Sequence, residues 1–156
     1  MPIIIRLAED RDAQQVAELS RKAVEHGLPW RWTPPAVTAA IRDARTNVVV
    51  AEFSRAVIGF GVMLYEDDEA HLVLLAVDRP DRRKGLGSRL LLWLEDVAIA
   101  AGISRIRLEC RAENTAALAF YRKHGYIDNQ QVLGMYHGVE DGVRLVKTLC
   151  SGRQSA

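Results

Sequence analysis

The strongest constraint on the fold is the run "AHLVLLAVD", Ala70 to Asp78, followed at once by the basic glycine loop "RPDRRKGLG" and a second apolar stretch that begins "SRLLLWL". A short and nearly unbroken apolar run suits a strand covered on both faces. The segment from Gly85 to about Ala101 places Leu86, Leu90, Leu94 and Val97 along one side of a helix, which Gly102 closes. The chain must therefore build a sheet with helix packed against it.

The flanking segments extend that sheet. "IIIRL" (Ile3 to Leu7) predicts a first strand, and Asp10 then stands where it can cap a helix carrying Ala13, Val16, Ala17, Leu19, Ala23 and Val24 at helical spacing, with Gly27 as its stop. Thr33 is the expected N-cap of a second helix, with Pro34 in its first turn and Val37, Ala40, Ile41 and Ala44 on one face. "NVVVAEF" and "AVIGFGVMLY" are joined by "SR", and the acidic turn "EDDE" leads into "AHLVLLAVD", which together predict an antiparallel meander. In "SRIRLECR" the alternation puts Ile106, Leu108 and Cys110 on one face and Arg107, Glu109 and Arg111 on the other. A helix over "NTAALAFYRKHG", capped by Asn114 and stopped by Gly125, precedes two last strands around "YIDNQQVLGMY" and "GVRLVKTL". This order of elements predicts a mixed α/β sheet. With no repeat and no low-complexity linker in 156 residues, residues 1–150 are expected to form one domain and "SGRQSA", 151–156, a flexible tail.

Charge narrows the function classes. Lys and Arg total 21 against 20 Asp and Glu, and a net charge of +1 offers no global field for nucleic acid or an anionic membrane. Any anion site must be local. The apolar runs fall well short of the roughly 18 residues of a membrane span, and "MPIIIRLAED" lacks the basic start of a signal peptide, so a cytoplasmic protein is expected. Cys110 and Cys150 sit in apolar surroundings without metal-type spacing and are read as reduced, buried thiols; no metal is expected.

The glycine loop is such a local site. The first N–H groups of a helix are unpaired and lie at its positive end, Gly85 and Gly87 permit close approach of the backbone, and Arg82, Arg83 and Lys84 bring cations to the rim. Two nucleotide loops fail against it. A Walker loop needs four residues between its first Gly and a Gly-Lys pair, and the dinucleotide fingerprint needs a small residue where Leu90 stands.

"AVDRPDRRKGLGSRLL" resembles the acetyl-CoA signature of the GNAT N-acetyltransferase superfamily, Arg/Gln-x-x-Gly-x-Gly/Ala, matched by Arg82, Gly85 and Gly87. "RLECRAENTAALAFYRKHGYI" is similar to the second motif of that superfamily through Asn114, Ala117, Tyr121, Gly125 and Tyr126, and is closest there to the ribosomal-protein-alanine N-acetyltransferases. The resemblance implies a mixed, mostly antiparallel central sheet of about six or seven strands with helices on both faces. It implies acetyl-CoA as cosubstrate, its pyrophosphate held by Arg83, Lys84, Gly85, Leu86, Gly87 and Ser88. Main-chain groups near Leu75 and Val77 would pair with the pantetheine arm, and Asn114 would stand beside that arm.

Transfer from a thioester to an amine needs a neutral amine, a polarised carbonyl and a proton for the thiolate. Tyr121 can donate that proton, because a phenol with pKa near 10 is protonated at neutral pH. Two residues compete as base. Glu109 matches, in "LECRAENTAALAFY", the glutamate assigned this role in the alanine acetyltransferases, although on the polar face of its strand it can instead pair with Arg107 or Arg111. His71 opens the strand before the loop, where histone-type members carry a catalytic Glu, and imidazole is suited to the task. Neutralising a lysine amine at pH 7.4 costs about 4 kcal/mol against under about 1 for an α-amine. The expected acceptor is therefore an α-amine of a protein, peptide or amino-acid-like molecule, with a small-molecule amine or lysine side chain, or a CoA-binding module without catalysis, as alternatives. Trp30 and Trp32 in "HGLPWRW" either wall an acceptor pocket or seal the first two helices onto the sheet. No nucleic-acid or membrane partner is expected, and the assembly is a monomer or homodimer.

Overall fold

The computed structural model describes residues 2–82, 85–136, 138 and 140–149. In chain order the elements are β1 (Ile4–Leu7), α1 (Ala13–Ala23), α2 (Pro34–Arg42), β2 (Thr46–Phe53), β3 (Ala56–Glu66), β4 (Glu69–Val77), α3 (Leu86–Ala100), β5 (Arg105–Arg111), α4 (Thr115–Lys123), β6 (Ile127–Tyr136) and β7 (Glu140–Thr148). The described residues form a seven-stranded sheet in the order β1-β2-β3-β4-β5-β7-β6, antiparallel throughout except for the β4–β5 pair. This is the expected mixed sheet with helices on both faces.

Each face has its own core. On one, α3 and α4 bury Leu86, Leu90, Leu94, Leu118 and Tyr121 against Met63, Leu72, Ile106, Leu108 and Leu145. Gly61 of β3 lets α3 lie close, since a Cβ there would come within 2.8 Å of the Leu94 side chain. On the other face, α1 and α2 bury Val16, Ala17, Leu19 and Val37 against Val48, Val50, Phe60, Val62, Leu74 and Ala76.

The run that anchored the sequence reading hides an irregularity. Leu72 pairs with Met63 and Leu74 with the next residue of β3, Val62, so Val73 is an extra residue, a β-bulge. The bulge reverses the parity of β4: Ala70 and Leu72 belong to the α3 core, Leu74 and Ala76 to the α1–α2 core. The strand is apolar on both faces because each end buries a different one.

Several local expectations shift. Asp10 does not cap α1; residues Asp10–Asp12 form a 3-10 turn headed by Glu9, whose N–H donates to Asp12 Oδ2 at 2.7 Å, while Asp10 pairs with Arg42. The buried Asp12 carboxylate, held by Arg6, explains the exchange. Helix α1 ends at Ala23, before Gly27, because Val24 and Glu25 turn off it through bonds from their N–H groups to Ser20 O. Thr33 heads α2 as expected but makes no side-chain cap bond, and Ala44 lies beyond the helix end. Asn114 caps α4, its Oδ1 accepting from Ala117 N at 3.1 Å. Cys110 is free and buried, while Cys150 and residues 151–156 lie outside the described residues. Among the described residues no helix is long and apolar enough to cross a membrane.

Candidate active site

The parallel β4–β5 pair holds only from Glu69–Arg105 to Leu72–Leu108. Beyond Leu72, where the Val73 bulge bends β4, the strands part: β4 stays on β3 and β5 stays on β7. The gap is a cleft of about 1140 Å³, lined among others by Val73, Leu75, Glu109, Asn114 and Tyr121. Because Asp78 N donates to Ile58 O on the β3 side, strand alternation turns the main-chain groups of Val77 and Leu75 toward the gap. The Val77 carbonyl there accepts from Arg82 Nε at 3.1 Å.

At one end of the cleft stands the start of α3. Gly85 heads it at φ 76°, a left-handed conformation that favours glycine. Leu86 is buried in the core, so only its backbone is available to the loop. At Gly87 a Cβ would reach 3.5 Å from the Phe120 ring. Ser88 Oγ lies 2.8 Å from His124 Nε2, whose ring meets that of Phe120 at a tilt of 51°, centroids 4.7 Å apart. Arg83 and Lys84 lie outside the described residues.

The two residues that competed as base in the sequence are partners in space. Both lie on the sheet face opposite the α3 core, and His71 Nε2 is 2.6 Å from Glu109 Oε1. The other carboxylate oxygen accepts from Arg107 at 3.1 Å and from Arg144 of β7 at 3.0 Å. Burial by itself would raise the Glu109 pKa, but the His71 hydrogen bond and the charges of His71, Arg144 and Arg107 outweigh it and draw the carboxyl down to about 2. The Arg107 partnership was legible from alternation; Arg144 was not, since its place opposite Glu109 depends on the β5–β7 register.

Tyr121 lies on the opposite wall, buried between Phe120 and Tyr126. Burial raises its pKa, so the phenol keeps its proton, and among the described residues nothing bonds its hydroxyl. Cys110 also lines the cleft, but burial pushes its thiol up to about 11, which leaves it protonated and unreactive.

Both tryptophans pack on the α1–α2 core. Trp30 donates from Nε1 to Ala17 O at 3.2 Å and lies under Arg21; Trp32 also lines the cleft. The loop between them and α1 is wound around Glu25, a buried carboxylate that accepts from Ser20 Oγ, Arg31 N and Trp32 N. Arg111 ties that loop to the far wall: NH2 donates to Val24 O at 2.8 Å, while its guanidinium lies over Tyr136 and 3.6 Å from Glu140. Glu25 and Arg111 carry no sequence signal of these contacts. No group of three or more His, Cys, Asp or Glu side chains placed to hold a metal occurs among the described residues.

A parallel pair that splays beside a glycine-headed helix, in a seven-stranded sheet of this order, agrees with a sequence comparison in which the acetyltransferase (GNAT) family model matches residues 6–126. The chain belongs to the GNAT family. As a GNAT acetyltransferase it takes acetyl-CoA as donor and an amine as acceptor. An uncharacterized N-acetyltransferase of Methanocaldococcus jannaschii is 29% identical over 147 residues, covering 93% of this chain and 91% of that protein. The [ribosomal protein bS18]-alanine N-acetyltransferase of Escherichia coli is 39% identical over 75 residues, about half of each protein, at 48% and 50%. A crystal structure of the Escherichia coli ribosomal-protein-S18-alanine N-acetyltransferase superposes with a TM-score of 0.83 at 26% identity, covering 94% of both chains.

Proposed function

We propose that this GNAT enzyme transfers the acetyl group directly from acetyl-CoA to an α-amine, on a protein or peptide N-terminus or an amino-acid-like molecule. The observation that carries the reading is the 2.6 Å contact between His71 and Glu109 in the cleft. A carboxyl drawn down to about 2 is a poor proton acceptor at neutral pH. Its role is to accept from His71 Nε2–H, which in the neutral imidazole leaves the lone pair on Nδ1. The pair is then one unit: Glu109 fixes the tautomer and His71 takes the proton of the amine, directly or through water. An α-amine is already partly neutral at pH 7, so this base suffices.

The donor fits the rest of the cleft. Its pantetheine arm pairs with β4 main chain at Leu75 and with the Val77 amide, beside Asn114, and its pyrophosphate sits on the loop amides from Arg82 to Ser88. The amine nitrogen attacks the thioester carbon, whose oxygen is turned to β4 main-chain N–H groups beside the bulge at Val73. The C–S bond breaks, and the departing thiolate takes a hydrogen bond from Tyr121 and is protonated as the proton collected on His71 returns through water, so that Tyr121 ends as the neutral phenol. The protonated Cys110 thiol argues for direct transfer, without an acetyl-cysteine intermediate.

The test is the pH profile of Glu109→Gln with two peptides, one with a free α-amine and one N-blocked with a free lysine. The variant should be slowest relative to the parent near pH 7, and the deficit should close by about pH 8–9 for the α-amine but only above about 10 for lysine. Faster acetylation of the lysine peptide refutes the α-amine; a silent Glu109→Gln at every pH refutes the proton-accepting pair.

A further inference from the structure

The charges that line the acceptor end of the cleft are nearly all answered inside the protein. Arg107 is paired with Glu66, Glu69 and Glu109, Arg144 with Glu109, and Arg111 with Glu140. Arg31 is the cleft-lining arginine that makes no ion pair among the described residues, and it is exposed. Its neighbour in the wall, His26, is likewise exposed to the cleft.

Arg31 is free at its side chain but not at its backbone. Its N–H donates to Glu25 Oε1 at 2.6 Å, and Glu25 is itself only 8% exposed and shared with Ser20 Oγ and Trp32 N. Trp30 Nε1 and Arg111 fasten the same loop to Ala17 O and to Val24 O. A buried carboxylate held by neutral donors alone is costly to build unless each donor is placed to satisfy it. Here the result is a loop pinned at its backbone, on which Arg31, exposed and without an ion pair among the described residues, lines the cleft. Glu113, a cleft carboxylate without an ion pair among the described residues, stands next to Asn114 at the head of α4, the side assigned above to the donor arm.

We propose that Arg31 is a specificity-determining residue that selects acceptors bearing a carboxylate close to the reacting amine, such as an N-terminus followed by an acidic residue. The proposal rests on the α-amine reading and names the acceptor class within it. A guanidinium with no internal partner, carried on a backbone that Glu25 holds, can meet a carboxylate through paired N–H donors. A cationic second residue in the acceptor would be repelled at the same place.

The experiment compares three peptides that begin with alanine: Ala-Asp-Ala amide, Ala-Asn-Ala amide, and Ala-Asn-Ala with a free C-terminal carboxylate. In the parent enzyme KM for the Asp peptide should be about five- to tenfold below that of the neutral amide, with the difference in KM rather than kcat. Arg31→Gln should erase the preference, Arg31→Lys should keep part of it, and Arg31→Glu should reverse it. The third peptide tells a side-chain carboxylate from a terminal one; a gain from either supports the proposal. Equal KM for all three, or a preference that survives Arg31→Gln, overturns it. If none of the peptides is acetylated the α-amine reading fails, and the anion site is then decided by calorimetric titration of the same peptides into enzyme without acetyl-CoA. Tighter binding of the Asp peptide that depends on Arg31 supports the site, and equal binding to parent and Arg31→Gln overturns it.

Discussion

One face of the sheet is built from two opposite materials. Under α1 and α2 it presents Val48, Val50, Phe60, Val62, Leu74 and Ala76, sealed by apolar helices. Beyond the bulge in β4 no helix among the described residues covers it, and it presents His71, Arg107, Glu109 and Arg144, joined through 2.6–3.1 Å contacts. Apolar burial supplies stability in the first region, whereas in the second the charges answer one another and add little net stability, as partly exposed ion pairs do. The covered half holds the strands in place, and the uncovered half is left with polar groups at fixed positions beside an open cleft. Division of labour follows from where the helices stop.

The contrast is broken most directly in the covered half. Phe60→Ala removes a fully buried ring and should cost about 3–5 kcal/mol in urea unfolding, whereas Arg144→Ala should cost under about 1. Similar losses for both would mean that the two regions are not built differently. In the uncovered half the larger effect should fall on rate. His71→Ala should slow acetylation about a hundredfold or more while the unfolding midpoint moves little, measured by thiol release and thermal melting on the same preparation.

Glu25→Ala probes the border between the two regions. It strands the N–H groups of Arg31 and Trp32 and the Ser20 hydroxyl, and should lower stability by about 1–3 kcal/mol and raise acceptor KM, with acetyl-CoA affinity kept. Retained acceptor KM would detach the loop from the acceptor. The last test concerns Glu109 and pH. Its pKa falls from 4.5 unfolded to about 2 folded, so its contribution is fully present above the unfolded value and is lost as pH falls toward 2. The stability gap between the parent and Glu109→Gln should therefore be constant above about pH 5.5 and narrow through pH 4 to 2.5 in denaturant titrations. A gap that stays constant throughout would show that Glu109 is not held by cations.

Those pairings also mark where sequence reading ends. Helix α3, its glycine head, the Asn114 cap and the alternation of β5 were legible, because period, capping and turn chemistry act within a few residues of chain. The starts and stops of α1 were misplaced, since Asp12 and Ser20 answer to tertiary partners that override local capping preference. Glu109 and His71 were both picked out, yet as rivals. They are 38 residues apart, and only the parallel register of β4 on β5 makes them neighbours.

The sequence by itself determined the order of strands and helices, the glycine turn at the head of α3 and the residue types of the cleft, all of which follow from local pattern. Tertiary structure alone decided three things: the bulge at Val73, the arginine of β7 that meets Glu109, and the loop wound around Glu25. A bulge changes which face each residue serves without changing composition, and an apolar run reads the same with or without one. Long-range partners are fixed by register and packing across the whole sheet, which no window of sequence contains.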